Sequence, residues 1–434
     1  MKRKLFYTFI FYILFSNLTF ASPSPSLIAE GAILIEPKTK TILYSKNINS
    51  QFYPASTTKV LTSLLLVESM DEDGIITKSQ ASIENVPSDS SHIGLSAGDQ
   101  YSYSDGLYGI MMGSDNYISY DMAVYNAGSI EAFTEKMNEK AQSLGALSSH
   151  FVNPHGYHDP NHYTTPYDLS LITAAAFDNP ILSQIGGTPV YDFTVLDKDK
   201  VLNLTHTAAF FKKNSPFYNT HVLSAKTGYH TPAGRTLVAK ATYGDLDLIA
   251  VVMKSNNPGY FEDINKLFEY GSSNFNAQKD VNGNLLIHNI SYSDWGKPYV
   301  ESALTKGWVK PTTKSYMDAT TGHRFLITLD NMFPTSLKYK LVPYRLPVSP
   351  VYKINQSLSR NDAALLFYNI CKKLSIPPHM PDYTKLQDAT YLLSKNGQAI
   401  DKNAPLTLEE GLYLTEKLSI LLMKYAPIHP ALSH

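Results

Sequence analysis

The sequence predicts an α+β fold: an antiparallel sheet interrupted by a helical insertion, followed by a mainly helical C-terminal domain. Three observations carry this. Apolar β-rich runs occur at 32–44 and return at 222–253. Between them the apolar residues recur at helical spacing. Beyond about residue 276 the texture changes to helical segments separated by Pro-containing loops, such as Pro343 to Pro350. Strands at both ends of a segment with helices between them place those strands in one antiparallel sheet.

Taken in order, Ala32–Ile35 and Thr41–Tyr44 flank Pro37-Lys38-Thr39-Lys40, which predicts a hairpin. Pro54 introduces a helix that carries Ser56 and Lys59 and runs through Leu64, Leu65, Leu66 and Val67. From about Asp105 to Leu144, the series Leu107, Ile110, Met111, Ile118, Met122, Ile130, Phe133 and Met137 marks helices. Gly128-Ser129 separates two of them, with Ser129 as N-cap. A loop rich in His, Pro and Asn (Asn153 to Thr165) precedes a helix near Pro166 that Asp168 is expected to cap. Val222–Ala225 is a strand, and Thr236–Thr242 and Leu246–Met253 form a second hairpin around Tyr243-Gly244-Asp245. Phe261–Tyr270 is a helix suited to pack on that sheet. The polar, turn-rich stretch Asn274–Asn284 is the domain boundary, giving domains at 28–275 and 285–434.

With 434 residues, 43% of them apolar, the chain can fill a sizeable core. A formal charge of −1 offers no electrostatic case for nucleic acid. Lys2, Arg3 and Lys4 precede an apolar run from Leu5 to Phe15, and a small-residue site ends at Thr19-Phe20-Ala21. Residues 1–21 therefore read as a secretory signal peptide cleaved after Ala21. An uncleaved anchor is the competing reading, but it needs about 20 apolar residues. The expected location is secreted, outside the cytoplasmic membrane. Cys371 is the only cysteine, so no intramolecular disulfide forms; its apolar setting predicts a small core residue.

Three short motifs stand in order: Ser56-Thr57-Thr58-Lys59, Ser114-Asp115-Asn116 and Lys226-Thr227-Gly228. A serine hydroxyl is a poor nucleophile at neutral pH and needs a base. On a helix, positions three apart share a face, so Lys59 can reach the Ser56 oxygen. A lysine becomes a base only when its pKa falls, through burial and a nearby cation such as Lys226. Ser114 can relay a proton to a leaving group, and Asn116 can hold a substrate amide and orient Lys59. On an edge strand, the backbone at Lys226-Thr227-Gly228 can pair with an extended peptide, with Gly228 leaving room for its backbone. Lys226 and Thr227 offer a cation and a hydroxyl to a terminal carboxylate. The backbone N–H groups of Ser56 and Tyr229 are placed to form an oxyanion hole.

Each motif alone is explained as well by a cap, a turn or a strand end. Together they resemble the active site of penicillin-binding proteins and class A β-lactamases. Residues 28 to about 275 resemble D-alanyl-D-alanine carboxypeptidases, the low-molecular-mass penicillin-binding proteins. The likeness extends to Glu30-Gly31-Ala32, Pro54-Ala55, Asn153-Pro154-His155-Gly156, Ala233-Gly234 and Leu237-Val238-Ala239. It implies a penicillin-binding-protein/β-lactamase-like fold, a peptidoglycan stem peptide ending in D-Ala-D-Ala as substrate, an acyl-enzyme on Ser56, and β-lactam antibiotics as mimics of that substrate. No cofactor or metal is implied; four histidines (His150, His155, His158, His162) share a loop, where His155 is expected to serve through hydrogen bonds.

A class A β-lactamase needs a glutamate after the second motif to activate the deacylating water. None occurs between Glu139 and Lys226. The family's carboxylate-binding arginine is also missing from Asn257–Glu262, and Arg235 is the expected substitute. A non-catalytic wall-binding protein is the third reading, yet no motif residue is lacking.

Beyond about residue 290 the chain resembles, in part, S-layer homology modules. Asp294-Trp295, Tyr299-Val300 and Ala303–Val309 fit a first helix, while Ser359-Arg360-Asn361-Asp362-Ala363 and Thr407-Leu408-Glu409-Glu410-Gly411 fit later helix starts. This likeness implies binding to cell-wall polysaccharide, and a helical packing domain without a ligand is the alternative.

Overall fold

The first hairpin joins β1 (Gly31–Glu36) to β2 (Thr41–Lys46), and the turn between them is Pro37–Lys40, as its sequence requires. The 3-10 turn Ala55–Thr58 runs into α1 (Lys59–Glu68). The short strands β3 (Ile75–Thr77) and β4 (Gln100–Ser102) pair around α2 (Gln80–Asn85). Then come α3 (Tyr103–Met111), α4 (Asn116–Ala127) and α5 (Ile130–Ser143). Gly128 closes α4 at φ 83°, a left-handed conformation that glycine adopts without a Cβ clash. Ser129 caps α5 by accepting from the Ala132 N–H. After the histidine loop, α6 (Pro166–Asp178) and α7 (Pro180–Gly187) lead to the hairpin β5 (Val190–Val195) and β6 (Lys200–Thr205), which the sequence reading did not contain.

Three long strands complete the sheet: β7 (Val222–His230), β8 (Gly234–Tyr243) and β9 (Leu246–Ser255). Its order is β2-β1-β9-β8-β7, with antiparallel pairing throughout, so β7 is an edge strand. α8 (Gly259–Asn274) follows, longer at both ends than its apolar pattern indicated.

Both faces of this sheet are buried, and the alternation along each strand shows it. Ile33 and Ile35 of β1 and Ile249, Val251 and Met253 of β9 join the core with α1, α3 and α6. Ala32, Leu34, Leu248, Ala250 and Val252 face the other way, against Ile264, Leu267 and Phe268 of α8. Central strands buried on both faces read as continuous apolar runs, as these two do. Each large side chain so buried contributes about 1.5–3 kcal/mol of hydrophobic stabilisation. Lys226 of β7 shares its side of the sheet with its β8 partner Val238, which belongs to the core with the helices; Ala225 and Leu237 belong to the α8 side.

The computed structural model describes residues 23–198, 200–293, 295–312, 314–320, 325, 328, 329, 331, 332, 357–373, 383–393 and 400–425. The signal-peptide segment, Asp294, the Pro343–Pro350 loop and the tail beyond Tyr425 lie outside them. Two compact units result: Ser22–Gln278 with Leu285–His288, and a second that includes Lys279–Asn284 and the chain from Asn289 onward. Among the described residues no helix is long and apolar enough to cross a membrane.

The second unit has a core of its own, built on Phe367, Ile370, Cys371, Leu414 and Leu418. Its helices include Lys297–Thr305, Arg360–Lys373 and Leu408–Tyr425. Ser359 caps the second by accepting from the Asp362 N–H at 3.1 Å. Thr407 and Glu410 form a reciprocal capping box at the third. The Arg360 guanidinium forks onto the buried Glu410 carboxylate at 2.8–3.1 Å. Cys371 is buried, and burial pushes its thiol up to about 12.

Candidate active site

Ser56 lies in the 3-10 turn, one turn ahead of the α-helix proper rather than inside it, and Lys59 is the first α-helical residue. The turn is pinned through the Pro54 carbonyl. That oxygen accepts from the Thr57 N–H (3.3 Å), the Thr57 hydroxyl (2.7 Å) and the Thr236 hydroxyl of β8 (2.9 Å). Ala55, immediately before Ser56, sits at φ 50°, a left-handed conformation that a residue with a Cβ rarely takes. Strain of this kind persists where the surroundings over-determine it. Here Gly156 (φ 80°) presses on Ala55 from outside: a Cβ at Gly156 would lie 1.9 Å from the Ala55 carbonyl oxygen.

The Lys59 Nζ is completely buried and has three neighbours: Ser56 Oγ at 3.0 Å, Asn116 Oδ1 at 2.6 Å and the His155 carbonyl at 2.7 Å. Two of these only accept. A neutral amine has two N–H bonds and one lone pair. Satisfying Asn116 and His155 uses both hydrogens and leaves the lone pair for the Ser56 hydroxyl. Burial, and then the Lys226 charge, hold the Lys59 pKa well below 10.5, against the opposing pull of Asp115. Geometry and electrostatics therefore agree on a lysine that can act as a base.

The second motif brings three side chains to three tasks. Ser114 (φ 56°) turns its hydroxyl to the Lys226 Nζ at 2.9 Å, so its partner in this state is the second lysine rather than Lys59. Asp115 caps α4: one carboxylate oxygen accepts from the Tyr117 and Ile118 N–H groups (2.8 and 2.9 Å), the other from the Ile93 N–H (2.8 Å). Burial raises the Asp115 pKa in spite of these donors. Asn116 spans the gap, its amide nitrogen donating to Ser90 Oγ at 2.9 Å.

Lys226, Thr227 and Gly228 lie inside β7, the edge strand, which runs beyond the Val222–Ala225 expected from its apolar residues. The strand is longer because its partner β8 pairs as far as His230–Gly234. The Lys226 Nζ also donates to the Thr227 carbonyl at 3.0 Å, and burial lowers its pKa to about 7. A Cβ at Gly228 would meet the Thr236 hydroxyl at 2.3 Å and the Ser56 nitrogen at 3.0 Å, so only glycine lets β7 approach Ser56 this closely. The Tyr229 N–H is the next along the strand. Arg235 is paired with Tyr229, its guanidinium 4.2 Å from that ring and 5.8 Å from Tyr260. The Thr227 hydroxyl bonds Thr207 at 2.8 Å.

A serine hydroxyl beside a buried amine, a second buried lysine and an edge strand together have the parts that serine acylation requires. Residues 18–257 match the family model described as D-alanyl-D-alanine carboxypeptidase. The chain belongs to this family. Its members are serine peptidases with a penicillin-binding-protein fold, and this chain is an enzyme of that kind. It is 30% identical over 276 residues to the D-alanyl-D-alanine carboxypeptidase DacF of Bacillus subtilis, covering 63% of this chain and 69% of the relative. It is 30% identical over 271 residues to Escherichia coli DacD, covering 60% and 67%. Among solved structures, a Streptomyces DD-transpeptidase aligns with a TM-score of 0.53 at 25% identity, covering 57% of this chain and 98% of that one.

The family's loop beside the site supplies main-chain groups as well as side chains. The Pro154 carbonyl accepts from the Thr62 hydroxyl at 2.6 Å, which fixes the loop to α1. His155 Nδ1 accepts from the Tyr157 N–H at 3.1 Å, and burial holds this imidazole neutral. His162 is buried too, its pKa lowered to about 3; Nδ1 accepts from the Val152 N–H and Nε2 faces Thr58 Oγ1 at 2.8 Å. Asp168 is not the cap of α6. Thr165 takes that place, and Asp168 instead accepts from the Ser148 N–H and the Ser149 hydroxyl, both at 2.7 Å. Ser90 and the His155 carbonyl went unseen in the sequence. Ser90 belongs to no motif, and a carbonyl has no residue type to read.

Proposed function

We propose that Ser56 attacks the carbonyl between the last two residues of a peptidoglycan stem peptide ending in D-Ala-D-Ala. The Ser56 proton passes to Lys59 as the C–O bond forms. The N–H groups of Ser56 and Tyr229 hold the oxyanion. Collapse breaks the peptide bond, and the departing amine takes a proton through Ser114, leaving free D-alanine and an ester on Ser56. Water then hydrolyses the ester to a shortened stem. Lys226, Thr227 and Arg235 bind the terminal carboxylate, and Asn116 holds the substrate amide. β-Lactams enter the same path, and no cofactor takes part. The observation that carries this is the triple coordination of the Lys59 Nζ, which leaves one lone pair for Ser56.

The test is release of D-alanine from a stem pentapeptide by the purified enzyme. Ser56→Ala should abolish it. Sustained, rapid nitrocefin turnover with no D-alanine release would instead favour a β-lactamase, which the missing glutamate opposes.

We further propose that the export segment 1–21 is removed, leaving the catalytic domain (28–275) and the C-terminal region (285–434) at the cell wall. Two segments similar to S-layer homology motifs both open capped helices, which supports wall-polysaccharide binding by that region. Retention of the full chain on purified cell wall, and its loss once wall polysaccharide is stripped, is the expected result; equal retention on both contradicts it.

A further inference from the structure

The catalytic unit carries a second concavity, about 450 Å³ in volume, that the chemistry above does not use. Phe52, Tyr53 and Tyr163 line it together with Asn47, Gln51 and Lys254. Aromatic faces mixed with amides and the Lys254–Glu30 ion pair suit a sugar. The rings cover the apolar C–H faces, while the amides bond the hydroxyl and acetamido groups. The volume suits a disaccharide, within the roughly 300–1,000 Å³ range of small-molecule sites. Two of its lining residues, Asn47 and Lys254, are held at φ 49° and 53°. Non-glycine residues in this region cost about 1–3 kcal/mol and cluster at functional sites.

Its position follows from the direction of the substrate. With the terminal carboxylate at Lys226 and Thr227 and the scissile carbonyl beside Gly228 and Tyr229, the upstream peptide leaves along β7 toward His230. Pro232 and Ala233, just past the end of that strand, also line the cavity. Tyr229 and Pro232 are three residue steps apart, at most about 10 Å of extended chain. A stem pentapeptide has three residues between the acylated D-alanine and its amino sugar, also about 10 Å when extended. A wall of rings connects the two places: His230 lies 5.3 Å from His158, and His158 lies 4.6 Å from Tyr53, which is itself part of the cavity.

We infer that this cavity binds the amino-sugar end of the wall substrate, so that the enzyme prefers stem peptides still attached to glycan. The inference rests on the catalytic reading given above. The test compares kcat/KM for a free stem pentapeptide and for the same peptide on its disaccharide, using the full chain. The expected preference for the sugar-bearing substrate is about tenfold, equivalent to 1.4 kcal/mol. Tyr163→Ala and Gln51→Ala should each reduce it to about threefold or less. Cleavage of the free pentapeptide and acylation by penicillin should stay unchanged. Gln51 is exposed, so its variant keeps the test decisive even where Tyr163→Ala does not fold. Equal kcat/KM for the two substrates on the wild type overturns the inference alone, as does a preference unchanged in Gln51→Ala. Failure to cleave either substrate, with no penicillin adduct, overturns the catalytic reading and this inference with it.

Discussion

Replacing Gly156 with alanine isolates what the histidine loop does for the nucleophile. Two effects add. The first is conformational: at φ 80° an alanine costs about 1–2 kcal/mol. The second is contact. The new Cβ would lie 1.9 Å from the Ala55 oxygen and 2.8 Å from Thr58 Oγ1. An ordinary carbon–oxygen contact is about 3.3 Å, so the loop and the Ala55 turn must part by roughly 1.4 Å. Overpacking of this kind costs about 1–3 kcal/mol. The total is about 2–5 kcal/mol. The displaced groups are the His155 carbonyl on Lys59 and the residue before Ser56. A misplacement near 1 Å costs on the order of 100-fold in rate. Gly128→Ala is the control, because it has nearly the same φ of 83° with nothing within 4 Å of the new Cβ. It should lose about 1–2 kcal/mol of stability and keep its acylation rate. Thermal melting and stopped-flow acylation by a labelled penicillin measure both quantities. A Gly156→Ala enzyme acylated within twofold of the wild-type rate would refute the argument that this loop positions the nucleophile.

Other outcomes follow from the same geometry. Lys226 has a folded pKa of about 7 against an ordinary 10.5, so between these values the unfolded chain binds more protons than the folded one. Stability therefore rises with pH across that window, by at most about 1.4 kcal/mol per unit for this one group. Lys226→Met should flatten that part of the rise in denaturant titrations between pH 7 and 9, and an unchanged slope speaks against a lowered pKa at Lys226. Arg235→Ala should raise the KM for the stem pentapeptide several-fold with little change in kcat; an unaltered KM removes Arg235 from the site and leaves it as a ring-stacking residue. Asp115→Asn places an amide N–H against one of the backbone donors of Ile93, Tyr117 or Ile118, and should lower stability by about 1–3 kcal/mol. A melting temperature equal to wild type would contradict that reading of the cap.

The parts of the fold visible in the sequence were those with a strong period or a punctuating residue. The hairpin turns at Pro37–Lys40 and Gly244-Asp245, the Gly128-Ser129 break and the Pro166 start are all of this type. β5 and β6 do carry a period of two, with Tyr191, Phe193 and Val195 against Asp192 and Thr194 and with Phe193 and Val195 fully buried, but each run is only six residues long and stands between helical segments that dominate the pattern of this region. Asp168 looked like a cap because acidic residues favour first turns. The Thr165 hydroxyl lies three residues earlier, where it can reach the orphan N–H of Asp168 itself. In the site, residue types announced Ser56, Lys59 and Lys226. Their burial, the division of the Lys59 hydrogen bonds and the pairing of Ser114 with Lys226 depend on contacts between residues distant in sequence, from Ser56 to Lys226, which no local pattern encodes.

The central claim is that Ser56 is the residue acylated. Mass spectrometry of the intact enzyme after brief exposure to benzylpenicillin, followed by peptide mapping, tests it most directly. One penicilloyl group on the peptide containing Ser56, absent from Ser56→Ala and much slower to form in Lys59→Ala, is the predicted result. No adduct on the wild type, or an adduct mapped to any other residue, would contradict it.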